Sequence, residues 1–113
     1  MDCIFCKIVD GQIPAKIVYE DDKAIAFEDV NPQAPVHVLI IPRKHISTIL
    51  DIEEEDKGLI GHMYSVGNEI AKRKNIDSRG FRSVMNCNED GGQAVFHLHL
   101  HILGGRSMQW PPG

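Results

Sequence analysis

Alternating apolar and polar residues, separated by turn-forming residues, predict five strands in this chain. The first two flank the acidic pair Asp21-Asp22 and predict a hairpin. The third is apolar and rich in β-branched residues, and it lies between Pro35 and Pro42, which is typical of a central strand. The predicted strands cover residues 16–20, 24–28, 37–41, 81–85 and 96–103.

A helical pattern follows the third predicted strand. Its apolar residues recur three or four positions apart, at Leu59, Met63, Val66 and Ile70. Residues 51–54, with the sequence Asp-Ile-Glu-Glu, resemble a helix cap, and we expect the helix to end near residues 74–75. A short helix is expected over residues 3–9. Together with the five strands, these helices predict an α+β fold whose helices lie on one face of the sheet.

Length and charge limit the classes of protein to which the chain can belong. A chain of 113 residues fits one domain, over residues 1–113, that buries roughly two-thirds of its unfolded surface. A formal net charge of −4 argues against nucleic acid or an anionic membrane as a partner, because neither attracts an acidic surface. The first residues lack a basic segment followed by an apolar run, so we expect a reducing, cytoplasmic location.

Three histidines dominate the candidate chemistry. His97, His99 and His101 alternate with aliphatic residues, so on a strand their imidazoles line one face and the aliphatic side chains line the other. Imidazole titrates near neutral pH, and such a row can supply a nucleophile, a proton donor and a group that orients its neighbour. Metal binding is the alternative, although the spacing of about 6.6 Å between same-face neighbours suits one ion on two rings better than on three.

Two glycine pairs, Gly91-Gly92 and Gly104-Gly105, bracket the histidines. Paired glycines allow backbone N–H groups to approach a phosphate closely, although they also commonly mark ordinary turns. In combination with the histidines, they predict an anion as the bound group.

These residues resemble the histidine-triad (HIT) nucleotide-binding proteins. The resemblance is carried by the segment from Gly91 to Arg106, and the ending Trp110-Pro111-Pro112-Gly113 is similar to that of the Hint branch. Segments 13–16, 31–35 and 41–47 also match in the same order, so the resemblance covers nearly the whole chain. It implies a five-stranded antiparallel sheet in a single HIT domain, with residues 106–113 as a C-terminal tail.

The resemblance implies hydrolysis of purine nucleoside phosphoramidates. His99 would attack the α-phosphorus, His101 would assist at the phosphate, and His97, with His37 behind it, would hold the His99 ring in the reactive tautomer. Water would then release a nucleoside monophosphate such as AMP. One alternative is a non-catalytic purine nucleotide sensor, and another is a metalloenzyme that uses two triad histidines together with Glu89 or Asp90.

The resemblance also implies a set of nucleotide contacts. An acidic residue would hold the ribose, apolar residues would sandwich the base, and a glycine-rich loop would hold the phosphate. Apolar residues at such spacing more commonly form core, and the acidic residue also fits an ordinary turn. Ala94 stands where many animal Hint proteins carry serine, so one hydroxyl donor is missing. The implied set is Phe5, Ile8, Phe27, Asp29, Val30, Asn86, Gly92, Gln93, Ala94, Val95, His99 and His101.

Cys3 and Cys6 form a Cys-x-x-Cys pair that supplies two soft metal ligands. By resemblance to zinc-bearing members of the superfamily, His45 and His97 would complete a structural zinc site. Two reduced thiols beside an N-terminal helix are the alternative, and no organic cofactor is expected. The resemblance further implies a homodimer with one continuous sheet, in which a tail carrying Trp110 reaches the partner's site, although terminal residues are commonly untethered.

Overall fold

The structure is a computed structural model that describes residues 2–113, and Met1 lies outside the described residues. Its helices are α1 (Ile4–Val9), α2 (Lys57–Arg73) and α3 (Asn88–Gly91), with two 3₁₀ turns at Ile49–Asp51 and Glu54–Asp56. Its strands are β1 (Ile17–Glu20), β2 (Ala24–Glu28), β3 (Val36–Pro42), β4 (Phe81–Val84) and β5 (Leu100–Gly104). Within residues 2–113, no helix combines the length and apolar character needed to cross a membrane.

All five strands form one antiparallel sheet in the order β1-β2-β3-β5-β4. The last strand of the chain therefore lies between the central strand β3 and the edge strand β4. In this register His101 faces Leu39 of β3 on one side and Val84 of β4 on the other. The predicted α+β fold with a five-stranded antiparallel sheet is confirmed.

The helices pack on opposite faces of the sheet, so the expectation that they share one face is wrong. Alternate residues of β2 and β3 enter two separate cores, one covered by α2 and the other by α1. Ala26 and Ile40 lie under α2, whereas Phe27 and Leu39 lie under α1. Both strands are apolar on their two faces, and each face must be covered to be removed from water.

β5 begins at Leu100, and the expected start of this strand at residue 96 is wrong. In the β3–β5 register, the residue that would face position 98 is Pro42, which has no N–H to donate to the ladder. The Leu98 N–H instead donates to the Ile46 carbonyl at 2.7 Å. The alternation nevertheless persists, because Leu98 and Leu100 enter the core under α2 while His99 packs against Phe5 on the other side.

The segment before α2 forms two 3₁₀ turns with capping boxes, rather than the single helix cap expected over residues 51–54. Thr48 pairs with Asp51, and Glu53 pairs with Asp56. α2 then ends at Arg73, one residue before the predicted end. On this helix Gly67 permits close packing on β5, since a Cβ there would lie 2.9 Å from Ile102 Cδ1.

Candidate functional site

The His99 ring is oriented by the backbone. Its Nδ1 lies 2.8 Å from the His97 carbonyl oxygen, which can only accept, so Nδ1 carries the hydrogen and Nε2 of the neutral ring carries a free lone pair. Within residues 2–113, His99 Nε2 has no hydrogen-bond partner. Every fully buried side-chain nitrogen in these residues has a partner, so Nε2 must reach the solvent-accessible surface. Phe5 packs edge-on against the ring, with 5.2 Å between ring centroids. The arrangement leaves a nucleophilic nitrogen open.

A hydrogen-bonded chain sets the tautomer of His101. The Gln33 backbone N–H donates to His37 Nδ1 at 3.0 Å, which leaves the hydrogen of neutral His37 on Nε2. His37 Nε2 lies 2.9 Å from His101 Nδ1 and donates to it. The hydrogen of neutral His101 is therefore on Nε2, so this ring presents an N–H donor beside His99, with 5.0 Å between the two ring centroids.

Burial favours the neutral form of both hydrogen-bonded rings, His37 and His101, by lowering their pKa values. It lowers the pKa of His101 to about 4, and repulsion from protonated His99 and His37 acts in the same direction. Burial also lowers the pKa of His37, while attraction to the Asp29 carboxylate opposes that shift. Asp29 Oδ2 lies 3.4 Å from His37 Nε2, and Asp29 Oδ1 accepts the Asn31 N–H at 2.8 Å.

The expected roles of two histidines need correction. His37 stands behind His101 and not behind His97, because its ring nitrogen contacts the His101 ring. The backbone carbonyl of His97, rather than its imidazole, orients His99. Gln33 was missed by sequence reasoning, since it acts through a backbone N–H that no side-chain motif reveals. The contact of Phe5 with the His99 ring is likewise visible only after folding.

The glycine-rich loop offers two free amides. Gly92 ends α3 in the left-handed conformation, with φ of 79° and its N–H donating to the Glu89 carbonyl. The Gln93 N–H donates to the Asn88 carbonyl, so neither of these two N–H groups is free for a phosphate. Among the described residues, the N–H groups of Ala94 and Val95 find no acceptor. The structure therefore narrows the implied phosphate donors of this loop to these two.

The residues expected at the base and ribose differ in exposure. Phe5, Ile8 and Phe27 are buried in the core under α1, whereas Val30 is fully exposed. Phe5 and Phe27 contact each other edge-on with centroids 5.5 Å apart. The three buried residues thus serve as core, and Phe5 also forms a wall beside His99. Asn86 is half-buried between β4 and α3.

Four side chains meet between α1, the segment after β3 and the triad, and they belong to Cys3, Cys6, His45 and His97. His97 is fully buried, and its Nε2 lies 2.8 Å from the Pro42 carbonyl oxygen, so the hydrogen is on Nε2 and the Nδ1 lone pair faces the cluster. That Nδ1 lies 3.4 Å from Cys3 Sγ, 3.5 Å from Cys6 Sγ and 3.2 Å from His45 Nδ1. Burial lowers the pKa of His97 and raises that of the Cys6 thiol.

The donor set fits a tetrahedral metal ion. Bonds of about 2.0–2.3 Å to nitrogen and sulfur make the edges of such a tetrahedron roughly 3.3–3.8 Å long. The ligand atoms of Cys3, Cys6, His45 and His97 all lie within 4.8 Å of one another, and the hydrogen-bonded pairs are separated by 3.2–3.5 Å. The residues that the sequence nominated for metal binding are thus brought together in a geometry that could hold a metal ion.

A second group of possible ligands contains Asp29, His37 and His101. Its carboxylate comes from the turn after β2, and not from Glu89 or Asp90, which are exposed on α3. The hydrogen bond between the two rings already occupies the facing nitrogens, at a separation of 2.9 Å. A cation there would have to replace the shared hydrogen.

Comparisons with known proteins agree with this fold. The family model "Scavenger mRNA decapping enzyme C-term binding" matches residues 2–110. An uncharacterized HIT-like protein from Synechococcus elongatus is 50% identical over 112 residues, which cover 99% of this chain and 97% of that protein. Another, from Synechocystis, is 54% identical over 112 residues, with the same coverage of 99% and 97%.

Solved structures are similar over the same length. A HIT family hydrolase from Legionella pneumophila superposes with a TM-score of 0.97 at 49% identity, covering 99% of this chain and all (100%) of that one. A histidine triad nucleotide-binding protein from Candida albicans has a TM-score of 0.84 at 30% identity, covering 97% of this chain and 83% of that one. The fold and the histidines thus define a histidine-triad protein. The chain belongs to the HIT family.

Proposed function

We propose that the protein hydrolyses purine nucleoside phosphoramidates through a nucleotidyl-histidine on His99. The observation that carries the proposal is the state of that ring, whose Nδ1 donates to a backbone carbonyl at 2.8 Å while its Nε2 is free. The names of solved neighbours, a hydrolase and a nucleotide-binding protein, support this class of reaction. In this proposal a single HIT domain carries the triad and the nucleotide contacts, and residues 106–113 form its C-terminal tail.

In the first step, His99 Nε2 attacks the α-phosphorus. A new P–N bond forms to the ring as the P–N bond to the leaving amine breaks, and the amine departs with the bonding electron pair and takes up a proton. The free N–H groups of Ala94 and Val95 stabilise the charge on the non-bridging oxygens. The Nε2–H of His101 donates a hydrogen bond to the same phosphoryl group or to the departing nitrogen.

In the second step, water attacks the phosphorus of the nucleotidyl-histidine. The P–N bond to His99 breaks, the ring recovers its lone pair, and a nucleoside monophosphate such as AMP is released. Asp29 would hold the ribose hydroxyls, and Phe5, Ile8, Phe27 and Val30 would border the purine, as the family resemblance implies. Residual exposures of 5–8% for the three buried members mean that the base would rest on the rim of this core.

Trapping the intermediate tests the proposal. The variant His99→Ala should retain AMP binding and lose phosphoramidate hydrolysis, while the wild-type chain mixed with excess substrate and quenched in acid-free denaturant should carry one nucleotidyl group by mass spectrometry. His62→Ala is the matched control, because His62 lies on α2 and contacts Asp21 instead of the triad. Hydrolysis that survives in His99→Ala would contradict the mechanism.

A nucleotide sensor is the second candidate, because the free N–H groups of Ala94 and Val95 would bind a phosphate without any reaction. A single-turnover experiment separates the two candidates. With the protein in excess over an adenosine phosphoramidate, a sensor would bind the compound and return it intact, whereas the proposed enzyme converts it to AMP.

We further propose that the cluster of Cys3, Cys6, His45 and His97 binds structural zinc. What supports zinc is the donor set of two thiols and two imidazoles with pair distances of 3.2–3.5 Å. A bound zinc ion would tie α1 to the segment after β3 and to the segment before β5, and it would leave His99 free for phosphate chemistry. A reducing location such as the cytoplasm would keep these thiols available, and the three cysteines are unbridged in the structure.

A homodimer through the edge of β4 completes the proposal. β4 pairs only with β5 in the described sheet, so its outer edge can extend the sheet into a second copy. Beside it, the tail is anchored where Arg82 donates to the Gln109 carbonyl at 3.1 Å, and Trp110 is 82% exposed. Light scattering should give twice the chain mass, and deleting residues 108–113 should alter preference among leaving groups. A monomer would refute the proposed dimer, and an unchanged preference among leaving groups after the deletion would refute the role of the tail.

A further inference from the structure

The Gln93 side chain is turned into the protein and is fully hydrogen-bonded to backbone. Its Oε1 accepts the Asn88 N–H at 2.9 Å, and its Nε2 donates to the carbonyls of Ser47 at 2.8 Å and Val95 at 3.1 Å. The residue is 7% exposed. A primary amide has two N–H donors, and both are used here, so a direct contact from Nε2 to a nucleotide would require one of these bonds to break.

Gln93 lies at one end of a short arch, residues 93–98, whose two ends rest on neighbouring carbonyls. Its Nε2 bonds the Ser47 carbonyl, and the Leu98 N–H bonds the adjacent Ile46 carbonyl at 2.7 Å. The free N–H groups of Ala94 and Val95 lie between these two attachment points. The arch therefore presents the unused N–H groups of Ala94 and Val95 from a segment that is held at both ends, and the N–H groups of Phe96 and His97 in the same segment likewise find no acceptor within residues 2–113.

The bond to the Val95 carbonyl fixes the arch from inside. Peptide groups are planar, so holding the Val95 oxygen also sets the orientation of the whole peptide group between residues 95 and 96, to which this oxygen belongs. On the other side, the Gln93 N–H is held by the Asn88 carbonyl at 3.0 Å. The peptides that carry the Ala94 and Val95 N–H groups thus lie between two fixed groups, of which one is held by the Gln93 backbone and the other by the Gln93 side chain.

We propose that Gln93 is a positioning residue that holds the amides of Ala94 and Val95 where they meet the phosphate of the bound nucleotide. The proposal rests on the function proposed above only in taking the nucleotide phosphate as the ligand of these amides. It departs from the direct nucleotide contact that the family resemblance implies for Gln93, because the inward hydrogen bonds assign the side chain to the arch itself.

Two variants remove the hydrogen bonds of the Gln93 side chain in different ways. Gln93→Met is neutral and of similar length but cannot form the three bonds, whereas Gln93→Glu keeps an acceptor for the Asn88 N–H and places a carboxylate oxygen against the carbonyls of Ser47 and Val95. Gln12→Glu is the matched control for added charge, since Gln12 is exposed just after α1. If Gln93→Met does not fold, Gln93→Glu carries the test.

The first measurement is the ratio of the affinities for AMP and adenosine, with metal content matched among the proteins. Misplacing the Ala94 and Val95 N–H groups weakens two hydrogen bonds to the phosphate, which predicts that AMP affinity falls by roughly tenfold while adenosine affinity is unchanged. A general loss of structure would instead lower both affinities together. A ratio that is unchanged in the folded variants would overturn the proposal.

The second measurement separates positioning from direct contact. In the nucleotide-free protein, the amide signals of Ala94 and Val95 should shift and exchange faster with solvent in either Gln93 variant, as seen by NMR. A fall in the affinity ratio with these free-state signals unmoved would show direct contact and overturn the inference. Wild-type protein that binds AMP without hydrolysing phosphoramidates would refute the proposed reaction and still leave both comparisons able to decide the role of Gln93.

Discussion

The His99 ring donates a hydrogen bond to the backbone carbonyl of His97 at 2.8 Å. The candidate nucleophile is therefore oriented by the main chain of a residue whose own imidazole faces the cysteine and histidine cluster. His97 is fully buried, so its backbone moves only with its surroundings. A change in the cluster would reach the reactive ring through a single residue.

Removing one ligand of the cluster should lower thermal stability in the presence of zinc. For Cys6→Ala we expect loss of bound metal and a lower Tm, because a ligand that binds only the folded state stabilises it by about 4 kcal/mol when present at a thousandfold excess over its Kd. Cys87→Ala is the control, since Cys87 is the free cysteine outside the cluster. Elemental analysis and calorimetry provide the readouts, and equal Tm values with and without zinc in wild-type protein would exclude the structural ion.

Breaking the link between His37 and His101 should slow turnover without weakening nucleotide binding. His37→Phe removes the donor 2.9 Å from His101 Nδ1 and frees the tautomer of that ring. We expect kcat to fall by about tenfold to a hundredfold, with KM nearly unchanged, because His37 acts only through His101 and its loss should cost no more than the lower limit of about a hundredfold for an acid–base group. His37→Gln, whose amide can still donate, should restore part of the rate. Equal rates for both variants and wild type would contradict the assignment.

Acidification should destabilise the fold between pH 7 and pH 4. The pKa of His101 lies near 6.5 in the unfolded chain and is lowered to about 4 in the folded one, so across this window the unfolded state binds the proton and the folded state does not. The contribution of His101 to the free energy of unfolding is therefore fully present above pH 7 and is lost as the pH falls through 6.5, by about 2 kcal/mol at pH 5. The lowered pKa values of His37 and His97 act in the same direction.

Urea unfolding at pH 7 and pH 5 measures this effect. His101→Asn, which retains an acceptor for His37, should show a smaller difference in the free energy of unfolding between the two pH values than the wild-type chain. A difference that is the same in both proteins would mean that His101 does not titrate as its burial requires.

Restoring a hydroxyl at position 94 should raise turnover modestly. Ala94 is exposed on the arch, and its N–H is one of the two free amides. A serine there would add one neutral hydrogen bond to the phosphoryl group, about 0.5–1.5 kcal/mol, which corresponds to roughly a twofold to tenfold rate increase. Ala94→Gly serves as a control for backbone effects. An unchanged or lower kcat in Ala94→Ser would show that the hydroxyl has no acceptor in this site.

Local patterns account for much of the fold and the site. Period-two alternation is a property of the strand itself, and it correctly assigned opposite sides to the histidines and leucines of residues 97–101 even where the chain leaves the sheet. Helical spacing likewise located α2 to within one residue of its end. The Cys-x-x-Cys pair and the two histidines chosen by resemblance do converge, because the segments that carry them pack together.

Contacts between distant segments depend on the register of the sheet and could not be derived from local patterns. β3 and β5 pair Leu39 with His101, so His37, two residues along on the same face, becomes the diagonal neighbour of His101 across 64 positions of sequence. The same long-range packing places α1 opposite α2 and turns Gln93 toward the Ser47 carbonyl. Side-chain type and spacing thus specify which groups can do chemistry, whereas strand pairing and burial specify which of them meet, because both arise only when segments far apart in the chain exclude water together.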